Sequence, residues 1–221
     1  MYLQKLFKEK DRIYIMQKTT GIYSILSLPF FYELFQKIIG ADRKRKLLIR
    51  DFIKPHAGAD VLDCGCGPAH ILKYFPKETN YTGIDLSADY ISKAKKLFPG
   101  SSFKVSSVDD FVISGKKFDI ILALGLLHHI DDESCKKLFS SAYKLLKKNG
   151  RMITQDGVFV KEQSYLAKFL LKRDRGQFVR DKKSYVQLAG SIFGESNVDV
   201  TIKSDLTRIP YTHILMQCKR E

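Results

Sequence analysis

Asp63, Cys64, Gly65, Cys66 and Gly67 stand in one run, "VLDCGCGPAH" at residues 61–70, directly after an apolar stretch. Two chemistries use such residues. Thiolates gathered with histidine bind zinc, whereas glycines between a strand and a helix let a nucleotide approach the backbone. The four cysteines, Cys64, Cys66, Cys135 and Cys218, form no C-x-x-C pair, and no His-x-His partner completes a tetrahedral set. No metal site is therefore expected, and free thiols fit a reducing, cytoplasmic setting. A second acid, Asp85, ends the apolar run "YTGIDL" 22 positions after Asp63. A carboxylate so placed can accept hydrogen bonds from both hydroxyls of a ribose. The pair specifies a nucleoside ligand.

Charge narrows the choice. In Gly65-Cys66-Gly67-Pro68-Ala69-His70, His70 stands where a dinucleotide fingerprint has its third glycine, and Pro68 removes an N–H at the start of the following helix. Asp63 would repel phosphate and suits an ammonium group. A nucleoside that carries a cationic amino acid in place of phosphates is S-adenosylmethionine.

On these residues the sequence resembles the class I S-adenosylmethionine-dependent methyltransferases. "VLDCGCGPAHIL" is similar to their glycine-rich first motif, "GIDLS" to their acidic second motif, and "FDIILALGLLHHI" to the motif of their fourth strand. The resemblance covers about residues 57–156. It implies an α/β fold: a Rossmann-like, seven-stranded, mostly parallel sheet with helices on both faces and the last strand antiparallel. It also implies that Asp63, Gly65, Cys66 and Gly67 surround the methionine end of the cofactor, with Asp85 on the ribose and Leu86 against the adenine. Backbone near Leu124 and Gly125 would reach the amino-acid moiety. Ser107, with the Val108 amide, stands where the family often has an acid for the adenine amino group.

The elements that must position these residues follow from local pattern. "ADVLDCG", "YTGIDL", "SFKVSSV", "KFDIILALG" and "GRMITQDGV" read as strands, several apolar throughout as in a sheet covered on both faces. Between them, "PAHILKYF" reads as a helix with Pro68 in its first turn. "SADYISKAKKLFPG" reads as a helix capped by Ser87, and "DDESCKKLFSSAYKLLKKNG" as one stopped by Asn149-Gly150. "NVDVTIKS" and "YTHILMQCK" should pair antiparallel. One domain is expected over 1–221: an N-terminal helical lid (1–56), a cofactor-binding core (57–157), a helical insertion (158–195) and a closing strand pair (196–221). The lid would hold helices in "IYSILSLPFFYELFQKIIG" and "KRKLLIRDFI", and the insertion helices in "EQSYLAKFLLKR" and "KSYVQLAGSIF".

Ligands of such sheets bind at the carboxyl ends of the strands, so catalytic candidates must lie there. His128 and His129 follow the fourth strand, and Asp156 ends the fifth. Any of them could take a proton from an acceptor, although neighbouring side chains point apart and only one histidine should face it. Tyr211 and His213 begin the last strand, whose reversed direction brings them to the same edge. Arg173 and Arg175, in "RDRGQFVR", suit carboxylate or phosphate recognition.

The net charge of +14 is unevenly spread: residues 1–50 carry +7 and residues 161–183 carry +5. These are the two segments placed to roof the site, and they point to an anionic acceptor, either a small molecule or a lipid-linked or sugar metabolite. Nucleic acid is a second partner class, but "ALGLLHH" stands where methyltransferases of base amines carry N-P-P-[FY]. A non-catalytic nucleoside-binding protein or a dehydrogenase is the third reading, and His70 speaks against the latter. The start "MYLQKLFKEKDRIY" lacks the apolar core of a secretory signal. "TTGIYSILSLPFFY" is too short to span a bilayer, which leaves only peripheral membrane contact.

Overall fold

The computed structural model describes residues 39–112, 115–174 and 176–221. The expected helix in "IYSILSLPFFYELFQKIIG" therefore lies almost wholly outside the described residues. Eight strands form the sheet: β1 (Asp60–Cys64), β2 (Asn80–Asp85), β3 (Ser102–Val105), β4 (Phe118–Leu124), β5 (Leu146–Phe159), β6 (Arg180–Asp181), β7 (Val198–Lys203) and β8 (His213–Lys219). Seven run in the order β3-β2-β1-β4-β5-β8-β7, and the two-residue β6 pairs with the end of β5. β8 is antiparallel to both its neighbours. The expected sheet is present, with β6 as an addition that two residues give no periodicity to reveal.

Helices cover both faces. α1 (Ala41–Leu47) continues as a π-helical turn, Leu48–Ile53, and α2 (Ala88–Leu97) follows β2. α3 (Val108–Val112) and α4 (Asp132–Leu145) flank β4, and the insertion holds α5 (Tyr165–Lys172) and α6 (Lys182–Phe193). Because side chains alternate along a strand, β1 sends Val61 to one core with Leu48, Ile91 and Ile153, and Leu62 to the other with Phe118, Phe139 and Tyr185. Each such buried side chain contributes about 1.5–3 kcal/mol. Local caps set the boundaries: the side chains of Ser87, Asp131, Ser164 and Asp181 accept from the amides of Tyr90, Ser134, Ala167 and Ser184.

Three expectations change. "PAHILKYF" forms only a 3-10 turn, His70–Tyr74, because Ala69 is left-handed at φ 57° and separates Pro68 from it. The helix after β4 stops at Leu145, where Leu146 turns to extended backbone and pairs with Phe118. Asn149-Gly150 then marks a bend within β5, with Asn149 left-handed at φ 62°. The third strand ends at Val105, because Ser106 and Ser107 turn inward to Asp110.

Candidate functional site

The turn after β1 is tied to β2. The Ile84 carbonyl accepts from both the Gly65 amide (2.8 Å) and the Cys66 amide (3.0 Å). Gly65 and Gly67 have φ of 73° and 53°, the left-handed region that disfavours any residue with a Cβ. A Cβ on Gly67 would meet nothing within 4 Å, so the turn presents open backbone. Cys66 lies close against β2: a Cβ on Gly83 would come within 2.8 Å of its Sγ. That contact explains a small residue there without metal. Burial pushes both Cys64 and Cys66 thiols up, so they stay protonated.

Asp85 is held over this turn. Its Oδ2 accepts from the Gly67 amide at 3.0 Å and its Oδ1 from the Ser87 amide at 2.8 Å. A carboxylate has about four lone-pair positions, so capacity remains for two ribose hydroxyls. Leu86 beside it is 45% exposed, an uncovered apolar platform. These residues fit a nucleoside cofactor. Asp63 is 3% exposed, and the Tyr81 hydroxyl donates to its Oδ2 at 2.5 Å. Burial raises the Asp63 carboxyl against the pull of the Tyr81 hydrogen bond, to about 7.

Two other expected contacts are partly committed elsewhere. The Gly125 amide donates to the Gln155 carbonyl at 2.6 Å. Ser107 gives its hydroxyl to Asp110 Oδ2 at 2.9 Å, which brings that carboxylate back over the turn after β3. Leu124 ends β4 in register with Gln155, and Val108 opens α3.

Farther along the carboxyl edge of the sheet the structure gathers residues from four segments. His128 Nδ1 lies 2.7 Å from Asp156 Oδ1, and Asp156 is fully buried. The ring's other nitrogen, Nε2, lies 3.4 Å from Asp174 Oδ1, and the Tyr211 hydroxyl donates to Asp174 Oδ2 at 2.6 Å. Burial disfavours a charged His128 ring, yet the Asp156 hydrogen bond and both carboxylate charges outweigh it and raise its pKa. The His129 ring packs against that of His128, centroids 4.1 Å apart and planes tilted by 42°. His213 lies 4.9 Å from the Tyr211 ring, and burial with the nearby Lys44 charge lowers its pKa to about 3. It stays a neutral imidazole.

Lys44 was not anticipated. From α1 its ammonium donates to Gln155 Oε1 at 3.1 Å, and burial lowers its pKa to about 8 against the charges of Asp156 and Asp174. Arg180 was anticipated only as part of a basic turn. It is 8% exposed, with Nε on Asp132 (2.7 Å), Nη1 on the Leu127 carbonyl (2.8 Å) and Nη2 on the Ile130 carbonyl (2.8 Å). Gly176 presses on the same loop: a Cβ there would fall 2.2 Å from His128 Cδ2 and 2.5 Å from its carbonyl oxygen. The insertion thus holds the His128 loop directly. Arg173 lies on the exposed side, its guanidinium 4.3 Å from the Phe169 ring centroid, and Arg175 is outside the described residues.

A doubly covered parallel sheet with one reversed strand, a glycine-rich turn after β1 and an acid ending β2 define the class, and the comparisons agree with it. A family model described as "Methyltransferase domain" matches residues 61–150. Over residues 61–150 the chain is thus similar to methyltransferase domains, in agreement with the resemblance to the class I S-adenosylmethionine-dependent methyltransferases. It is 25% identical over 123 residues to the N-terminal Xaa-Pro-Lys N-methyltransferase 2 of Danio rerio, covering 49% of this chain and 44% of that one. It spans about half the length of the curated relatives it matches. Among solved structures, the pyocyanin biosynthetic protein PhzM shares the fold with a TM-score of 0.68 at 14% identity, covering 91% of this chain and 62% of that one. The plantazolicin methyltransferase BamL, solved with a triazolic desmethylPZN analog and SAH, gives 0.63 at 18% identity, covering 92% of both chains.

Proposed function

We propose that this chain transfers a methyl group from S-adenosylmethionine to a small-molecule, lipid-linked or sugar acceptor with an anionic group, and that His128 receives the acceptor's proton. The observation that carries this reading is the His128–Asp156 contact of 2.7 Å, buried at the carboxyl edge of the sheet. When bound, the cofactor supplies a methyl group on a positively charged sulfur, already a good electrophile. Asp63, Gly65, Cys66 and Gly67 hold its amino-acid end, Asp85 its ribose and Leu86 its adenine, with Ser107, Val108, Leu124 and Gly125 closing the pocket. Alignment of acceptor and methyl group accounts for about 7–11 kcal/mol of barrier reduction in such reactions.

Asp156 fixes the His128 ring, so Nε2 is the nitrogen turned toward the insertion. A positioned base of this kind contributes about 10²–10⁴ in rate. Asp174 must yield Nε2 to the acceptor, and Tyr211 is placed to hold the displaced carboxylate. Lys44 supports the anionic acceptor, because its ammonium bonds Gln155 beside Asp156 and feels the charges of both Asp156 and Asp174. Free cysteines suit a reducing, cytoplasmic compartment.

The test is transfer of a tritiated methyl group from the cofactor into fractionated cell extract, with wild type and His128→Ala. Label should enter an anionic low-molecular-weight or lipid fraction, and the variant should lose at least a hundredfold in rate while binding cofactor normally. Label in an RNase-sensitive fraction would move the acceptor to RNA. A fully active His128→Ala would remove the base.

A further inference from the structure

We infer that helix α5 is a docking surface for an anionic lipid bilayer. Three of the large apolar side chains that the described residues leave exposed sit together on it: Tyr165 at 89%, Leu166 at 54% and Phe169 at 42%. At 100° per residue, Tyr165, Phe169 and Leu166 fall within one outward arc, and the buried Ala167 and Leu171 fall opposite. Leu171 anchors the inner face against the carboxyl end of β5, where a Cβ on Gly157 would come within 2.6 Å of its Cδ2. The apolar strip is thus aimed away from the protein by a helix fixed to the sheet.

Charge selects the occupant. Lys168 and Lys172 run along one side of the strip, Lys161 precedes the helix, and all three are exposed. The Arg173 guanidinium lies over the Phe169 ring. Residues 161–183 carry +5. Aromatic rings with an apolar body, flanked by long basic side chains that keep their charge in water, match the boundary between acyl chains and anionic headgroups. A neutral apolar partner would gain nothing from that basic flank. Eight residues span about 12 Å, far short of the roughly 30 Å hydrocarbon core, so the helix lies in the interface plane. Asp174 follows two residues after the helix and contacts His128 and Tyr211, so the docked face borders the candidate acceptor site. Docking itself does not depend on methyl transfer.

Co-sedimentation of the full chain tests this, with vesicles of phosphatidylcholine alone and of phosphatidylcholine with one third phosphatidylglycerol. Binding to the anionic vesicles should be at least tenfold tighter and should weaken with salt. The variant Tyr165→Ser/Leu166→Ser/Phe169→Ser should lose at least tenfold while still binding cofactor. The chain has no tryptophan, so Tyr165→Trp supplies a single reporter whose emission should shift to the blue on anionic vesicles. Three results overturn the inference. Vesicle binding unchanged in the triple variant would mean that net charge alone is responsible, and an unshifted reporter would mean that the helix stays outside the bilayer. Self-association abolished by the triple variant would assign the face to a second copy.

Discussion

Replacing Tyr81 by Phe tests how Asp63 is held. The Tyr81 hydroxyl is the group that lowers the Asp63 pKa, against burial and the Asp85 charge, which raise it. Hydrogen bonds to charged groups are worth about 1.5–3 kcal/mol, and one pKa unit is about 1.36 kcal/mol. Losing the hydroxyl should therefore lift Asp63 by roughly one to two units, from about 7. The sign follows from the ligand. A cofactor ammonium binds the ionised carboxylate, so affinity should be full above the Asp63 pKa and fall up to tenfold per pH unit below it. At pH 7 the wild type is about half ionised, and Tyr81→Phe about a tenth to a hundredth. Its affinity should be roughly five- to fiftyfold weaker at pH 7 and approach the wild type near pH 9. Calorimetry with S-adenosylhomocysteine from pH 6 to 9 reads both curves. Coincident curves, or an affinity flat with pH in the wild type, would refute the pairing of Asp63 with the ammonium.

Asp85→Ala should weaken cofactor binding roughly ten- to a hundredfold, from the loss of charge-assisted bonds worth about 1.5–3 kcal/mol, while thermal melting shows the fold intact. Asp156→Asn should lower kcat by at least tenfold with cofactor affinity within twofold, because it leaves His128 in place with the wrong proton partner; equal losses in both would assign Asp156 to the cofactor. Gly176→Ala should disturb His128, since the new methyl would overlap its ring and carbonyl; activity should fall while cofactor affinity holds, and a fully active variant would show that the loop yields freely. Arg180→Met should cost about 2–4 kcal/mol in denaturant unfolding, because two loop carbonyls lose their donor.

The sheet was legible because its signals are local. Ser87 caps α2 within one turn, and the apolar runs of β1, β2 and β4 stand between turn residues at regular intervals. The placement of Gly65, Gly67 and Asp85 together was legible for the same reason, since they lie at the ends of adjacent strands in register. The cluster around His128 was not. Lys44 meets Gln155 across 111 positions, and Arg180 meets Leu127 across 53. No periodicity relates residues so far apart. Tyr81 alternates like any buried strand residue, and nothing local shows that its hydroxyl ends on Asp63. Asp174 accepts from the Gly176 amide two residues on, a local contact that gives no sign of its contacts with His128 and Tyr211. The stop of α4 was misplaced because Asn149-Gly150 serves a bend inside β5 as readily as a helix end.

The guanidinium of Arg180 has a consequence for how acceptor preference could change among related chains. It is rooted in the insertion, while its bonds end on the loop that carries His128. The Phe178 amide adds a bond to the His128 carbonyl at 3.0 Å. A loop so fastened cannot keep its shape if the insertion alone is exchanged. Grafting another enzyme's residues 158–193 onto this sheet should give an inactive hybrid unless residues 127–132 travel with them. The transferable unit of specificity is then a pair of segments distant in sequence, and recombination at a single crossover would separate them.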